Sequence, residues 1–182
     1  DNFLSSYSKR IYEKVKLLES KYATKITNIF DIGGRDGFML KDLGENGYHC
    51  TVFDPMPREP FTKKIKKLNV WASQIDAQES ADLVLLCDVL SHCIDPKKEV
   101  KRCWHFLKED GFLYIEVPYD IGNFFQWVFI DQWIKRALPI DILHFGYFSI
   151  RSVLIMLEEA GFNSTHISID PLPTKKSLLI NI

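Results

Sequence analysis

Short runs rich in β-branched and aromatic residues recur at residues 26–32, 48–53, 65–71, 83–87 and 112–117, each separated from the next by a stretch suited to a helix. Strands that alternate with helices pair side by side in parallel, and each crossover helix covers one face of the sheet they build. The pattern therefore predicts a doubly wound α/β fold, with a mostly parallel sheet and helices on both faces. The punctuation agrees. Asp95-Pro96 supplies a cap and a first-turn proline for a helix over 97–107, after which Asp110-Gly111 turns the chain into the next strand. Ser149 and Gly161 bracket a helix over 150–160. Upstream, Ile11, Val15, Leu18 and Tyr22 recur at helical spacing, so residues 1–24 read as an amphipathic helix lying against the sheet. The last runs, 162–169 and 177–182, flank Pro171 and Pro173 and read as a terminal antiparallel hairpin at the sheet edge.

Composition bounds the partners. A chain of 182 residues, 46% hydrophobic and 26% charged, fits a single domain over 1–182 with one full core. Its net charge of -1 gives no general attraction to nucleic acid, and Lys63, Lys64, Lys66 and Lys67 read as a solvated helix face. Four cysteines without a C-x-x-C pair suggest reduced thiols in a cytoplasmic protein, with no metal site expected. The aromatic stretch 121–134 is too short to span a membrane and is interrupted by Asp131.

The most informative segment is Phe30-Asp31-Ile32-Gly33-Gly34-Arg35-Asp36-Gly37-Phe38, a strand ending in a glycine turn that opens a helix. Backbone here can approach a ligand closely. The dinucleotide fingerprint G-x-G-x-x-G fails, because Arg35 and Phe38 stand where glycines are needed. An acid ahead of the glycines suits a ligand carrying an ammonium group, and Asp31 could accept from it, or could simply cap the following helix. Asp54 closes the next strand, 17 residues beyond Gly37, where an acid can take both hydroxyls of a ribose. Together the two acids suggest an adenosyl ligand.

Asp31 to Gly37, Asp54, the run from Leu83 to His92 and Gly111-Phe112-Leu113-Tyr114-Ile115-Glu116-Val117-Pro118 resemble successive motifs of the class I S-adenosylmethionine-dependent methyltransferases. The resemblance spans most of the chain. It implies a seven-stranded Rossmann-like sheet with S-adenosylmethionine across the carboxyl ends of the first strands. Its methionine end would lie near Asp31, Gly33, Gly34 and Gly37, its ribose on Asp54, its adenine near Ala72, Ser73 and Gln74, with Asp88 closing the site after the fourth strand. Arg35, in place of the middle glycine of the commoner form, could pair with the methionine carboxylate.

Within that superfamily, Glu116-Val117-Pro118-Tyr119 and His144-Phe145-Gly146-Tyr147-Phe148-Ser149 are similar to the sugar C-methyltransferases and their small-molecule relatives. Those enzymes carry Tyr-His-Glu where this chain has Asp141-Ile142-Leu143, which leaves the acceptor atom open between oxygen, nitrogen and carbon. His144 is the candidate general base, its imidazole titrating near neutrality, against the alternative that it bonds a loop backbone. His92 reads as structural, packing beside the cofactor loop. The aromatic-rich segment 119–143 reads as a lid over a small-molecule acceptor, or as an extra packed helix. A non-catalytic adenosyl-binding scaffold is the alternative function. Oligomeric state is not legible.

Overall fold

Strand β4 (Ala81–Cys87) carries the sequence ADLVLLC and is buried at every position except Asp82. A strand apolar on both faces belongs in the middle of a sheet covered on both sides, and β4 lies there. The computed structural model describes residues 2–76, 80–118, 148–163, 167–171 and 175–181. In chain order these form α1 (Asn2–Tyr22), β1 (Asn28–Ile32), α2 (Lys41–Glu45), β2 (His49–Phe53), β3 (Ile65–Leu68), β4, α3 (Pro96–Phe106), β5 (Leu107–Pro118), α4 (Ile150–Ala160), β6 (Ile167–Pro171) and β7 (Lys175–Asn181). The sheet order is β3-β2-β1-β4-β5-β7-β6. The first five strands run parallel, while β7 is antiparallel to both β5 and β6.

Alternation along the strands sorts the core into two layers. Ile29, Val52, Leu83 and Leu85 face α1 and α2, meeting Ile11, Val15, Leu18 and Leu43. Ile32, Phe53, Val84 and Leu86 face the other way, toward Val100 and Phe106 of α3 and Val153 and Leu157 of α4. Both of these last helices start where the sequence places their caps. Asp95 Oδ1 accepts from Lys98 N at 3.1 Å, and Ser149 Oγ accepts from Ser152 N at 3.1 Å. Gly161, at φ 112°, stops α4.

Successive strands step outward from β1 through β2 to β3, and from β4 outward through β5. The order therefore reverses between β1 and β4, and the carboxyl ends of these strands flank the crevice where open α/β sheets hold ligands.

Three local expectations are corrected. β3 ends at Leu68, and Trp71, expected within the strand, is 63% exposed beyond it. The lysine cluster is no helix face: Lys63 and Lys64 lie in a turn and Lys66 and Lys67 on β3 itself, at the sheet edge, where charge blocks pairing with another chain. Asp110-Gly111 does not separate helix from strand. β5 begins directly after α3 at Leu107, with Asp110 at φ 62° inside it, because Leu107 already pairs with Ala81 before the register shifts to Phe112 with Leu83. The proposed lid and His144 fall outside the described residues.

The glycine turn is fixed by packing as well as by backbone shape. Gly37 has φ 79°, and a Cβ there would stand 2.9 Å from Val52 and 3.1 Å from Ile65; Gly47 has φ 89° and open space around it. Gly47→Ala thus carries only the left-handed backbone cost of about 1–2 kcal/mol, whereas Gly37→Ala adds overpacking of roughly 1–3 kcal/mol. Urea unfolding of the two variants should show Gly37→Ala as clearly the less stable; equal losses would contradict the packing described.

Candidate functional site

β1 delivers Asp31 to the crevice on the α1 face, one step beyond Ile29 in the strand alternation, and the chain then turns through Gly33 at φ 70°. Asp31 is completely buried, and neither carboxylate oxygen has a hydrogen-bond partner. A Cβ on Gly34 would meet Asp31 Oδ2 at 2.0 Å, so the carboxylate occupies the space a side chain at Gly34 would need. Burial, reinforced by the nearby charge of Asp54, pushes the Asp31 carboxyl up to about 8 from its ordinary 3.8. A buried, unpartnered acid of this kind is complementary to a cation.

Asp54 follows β2 and ties the strand end to the turn. Its Oδ2 accepts from Arg35 N at 3.0 Å and its Oδ1 from Met56 N at 2.8 Å, while its own N–H donates to Leu68 O at 3.2 Å. Each carboxylate oxygen retains a second acceptor site. The structure thus brings Asp31, Gly33, Gly34, Gly37 and Asp54 together around one turn, with Gly33 N donating to Phe53 O at 2.8 Å.

From the other side of the crevice, the end of β4 closes on this turn. A Cβ on Gly33 would stand 2.8 Å from Val89, so Val89 packs against the glycine turn; His92, further along the chain, is exposed. Asp88 takes φ 58°, and its N–H donates to Glu116 O at 2.9 Å, which binds the end of β4 to that of β5. Ser73 and Gln74 lie in a single 3-10 turn after β3, both exposed; Gln74 Oε1 accepts from Trp71 N at 2.8 Å.

A second polar cluster was not anticipated from sequence. Glu116, fully buried near the end of β5, accepts from Tyr114 Oη at 2.6 Å and from Tyr7 Oη, and forms an ion pair with Arg10 Nη1 at 2.8 Å. Burial opposes its charge, yet Arg10 and the two hydroxyls hold its carboxyl below the usual glutamate range. The available signal was a lone acid on an inward position of an otherwise apolar strand, which demands a partner from elsewhere in the chain.

A family model described as a methyltransferase domain matches residues 4–167. No curated protein matches the chain. Among solved structures, the Burkholderia thailandensis 1,6-didemethyltoxoflavin-N1-methyltransferase, solved with 1,6-didemethyltoxoflavin and S-adenosylhomocysteine, superposes with a TM-score of 0.68 at 16% identity, covering 99% of this chain and 85% of that one. A SAM-dependent methyltransferase from Archaeoglobus fulgidus gives 0.65 at 16% identity, covering 93% and 94%. Human N-acetylserotonin methyltransferase in complex with SAM gives 0.64 at 18% identity, covering 86% of this chain and 47% of that one. These likenesses establish an α/β Rossmann-like methyltransferase fold with five parallel strands, and with the family match over most of its length they lead to one conclusion: this chain belongs to the methyltransferase-domain family.

Proposed function

We propose that the protein is an S-adenosylmethionine-dependent methyltransferase acting on a small molecule, with the cofactor across the carboxyl ends of β1, β2 and β4. The observation that carries this reading is Asp31, an acid buried without a partner beneath a turn whose glycines leave no side chain in the way. The residues fit the group: a cationic amino-acid end answers the orphaned carboxylate, and a ribose can use the second acceptor sites of Asp54. When bound, S-adenosylmethionine supplies an electrophilic methyl on a sulfonium, open to in-line displacement.

The roles of the chain's own groups follow from their positions. With the turn intact Asp31 is out of direct reach behind Gly33 and Gly34 and holds its proton; a cation seated at the turn favours its ionised form, through the turn or directly once the turn parts. Asp54 holds the turn through Arg35 N and Met56 N and faces the ribose. Ser73 and Gln74 border the adenine, and Asp88 borders the crevice from β4. His144 takes the proton from the acceptor where the nucleophile requires it. A small-molecule acceptor is supported by the fold's likeness to enzymes whose names specify such substrates, 1,6-didemethyltoxoflavin and N-acetylserotonin. A sugar acceptor rests on sequence motifs alone, and Glu116, part of one such motif, is engaged with α1.

Calorimetric titration with S-adenosylhomocysteine tests the site directly. Asp54→Ala should weaken binding by about 1–3 kcal/mol, the worth of hydrogen bonds to a charged acceptor. Absence of any adenosyl-ligand binding by the folded wild type would sink the reading.

Asp31 makes a second prediction through pH. Its folded-state value of about 8 lies above the ordinary 3.8, so the folded state holds the proton more tightly. The associated stability is fully present below the ordinary value and is lost as pH rises through the folded one. Asp31→Asn removes that loss: its stability relative to wild type should increase steadily from pH 4 to pH 8 in denaturant titrations, while S-adenosylmethionine affinity falls. A pH-independent difference would contradict an orphaned buried carboxyl.

A separate test addresses the acceptor step: His144→Ala should lower kcat at least about tenfold, as loss of a general base does, with cofactor affinity unchanged. Unchanged turnover would remove His144 from the mechanism.

A further inference from the structure

Neighbouring parallel strands are usually joined through a helix that covers one face of the sheet. Between β2 and β3 the chain has none. Residues 54–64 form an irregular loop carrying Pro55, Pro57 and Pro60, and β3 beyond it is the edge of the sheet. The loop is nevertheless fixed. Met56 N donates to Asp54 Oδ1 at 2.8 Å, Met56 O accepts from Arg58 N at 2.8 Å and from Lys67 Nζ at 2.7 Å, and Phe61 N donates to Asp36 O at 2.8 Å. With their backbones held in this way, Met56 and Phe61 are 47% and 46% exposed, and Trp71, just past β3, is 63% exposed. Large apolar side chains kept out of the core on a fixed backbone mark a contact surface.

The same stretch concentrates charge. Residues 58–71 carry Arg58, Lys63, Lys64, Lys66 and Lys67 against a single acid, Glu59, a net of +4, so the rest of a chain of net charge -1 carries -5. The average over the whole chain conceals this face. Lys67 is tied to Asp54 O and Met56 O. Arg58, Lys63, Lys64 and Lys66 are exposed, and no ion pair among the described residues engages them. α2, whose Gly44 packs against Lys64, adds Glu45 at the border, which leaves the face strongly positive. Protection of the sheet edge accounts for Lys66, on the strand itself. Arg58, Lys63 and Lys64 precede the strand and block no pairing.

We propose that the β3 edge and the loop before it seat the protein on an anionic lipid surface, with Arg58, Lys63, Lys64 and Lys66 at the headgroups and Phe61 and Trp71 in the interfacial layer. Basic residues beside a membrane gain from the negative potential of anionic lipid, and aromatic rings settle at the boundary between headgroups and acyl chains. Four of the five basic residues are lysines, flexible point charges that suit a diffuse negative field. Single-stranded nucleic acid, the other polyanion that meets a basic and aromatic face, is gripped by successive stacked rings and by arginine planes. The loop begins at Asp54, so the seat adjoins the crevice, yet it stands independently of the adenosyl reading.

Cosedimentation of the full chain with vesicles tests the seat, comparing pure phosphatidylcholine with phosphatidylcholine containing about one third phosphatidylglycerol. The wild type should bind the mixed vesicles at least about tenfold more tightly, and roughly half-molar salt should abolish the preference. The triple variant Lys63→Gln, Lys64→Gln, Lys66→Gln should lose at least about tenfold on the mixed vesicles, and Phe61→Ser and Trp71→Ser at least about threefold each, all with unchanged thermal melting. Should the triple variant melt early, Arg58→Gln combined with Lys63→Gln, both ahead of the strand, takes its place and should lose at least about threefold. Equal binding to the two kinds of vesicle, or a preference that survives the lysine substitutions, overturns the proposal. A labelled single-stranded oligonucleotide is the competing probe: lysine-dependent binding to it by protein that ignores the mixed vesicles would assign the face to nucleic acid and equally overturn the seat. No cofactor enters the assay, so its failure is distinct from failure of the adenosyl site, which calorimetry with S-adenosylhomocysteine reads.

Discussion

A carboxylate taken out of water without a partner costs a fold several kcal/mol, and natural interiors avoid it or neutralise it. Asp31 is in that state at the end of β1, with both oxygens unsatisfied and its proton held up to about 8. The surrounding structure is organised around it. Gly34 has no side chain because Asp31 fills the space; Gly33 is pressed by Val89 from β4; Gly37 is pressed by Val52 and Ile65. Asp54 stitches the turn to β2, and its charge helps keep the proton on Asp31. Such an arrangement is costly for stability alone and is sensible for a site that awaits a cation.

The sheet explains why these groups meet. Parallel strands place their carboxyl ends at one edge, and the reversal of order between β1 and β4 opens the crevice there. β1 contributes Asp31, β2 Asp54, β4 Asp88, and β5 Glu116, which captures α1 through Tyr7 and Arg10. The helix is thus more than a cover for Leu83 and Leu85. Its Tyr7 and Arg10 engage Glu116 near the end of β5, which ties the helix to that end of the sheet. Removing Glu116 would free Arg10 and loosen the helix in the same event.

What the sequence made legible is what neighbouring residues encode. The glycine turn, Asp31 and Asp54 announce themselves because turn shape and strand ends depend on residues a few positions apart, and α3 and α4 are bounded by their own caps, Asp95, Ser149 and Gly161. The Tyr7–Glu116 bond joins residues 109 apart and leaves no local pattern. Only the misfit of a glutamate in FLYIEV hints at it. Trp71 was drawn into β3 by its strand propensity, while pairing stops at Leu68 with Phe53 because β2 has no further residue to offer. Asp110-Gly111 has the composition of a turn, yet the edge of Ala81 recruits Leu107 first, and the acid and glycine become an irregularity inside β5.

The central claim is that an adenosyl cofactor seats on the turn between Asp31 and Gly37 and on the end of β2. Hydrogen–deuterium exchange with and without saturating S-adenosylhomocysteine measures this at the backbone. Exchange should slow at amides 33–37, 54 and 56, with the amides of α3, on the opposite face, unchanged. Saturated protein whose amides at 33–37, 54 and 56 exchange as fast as in the free state would place the ligand elsewhere and contradict the account.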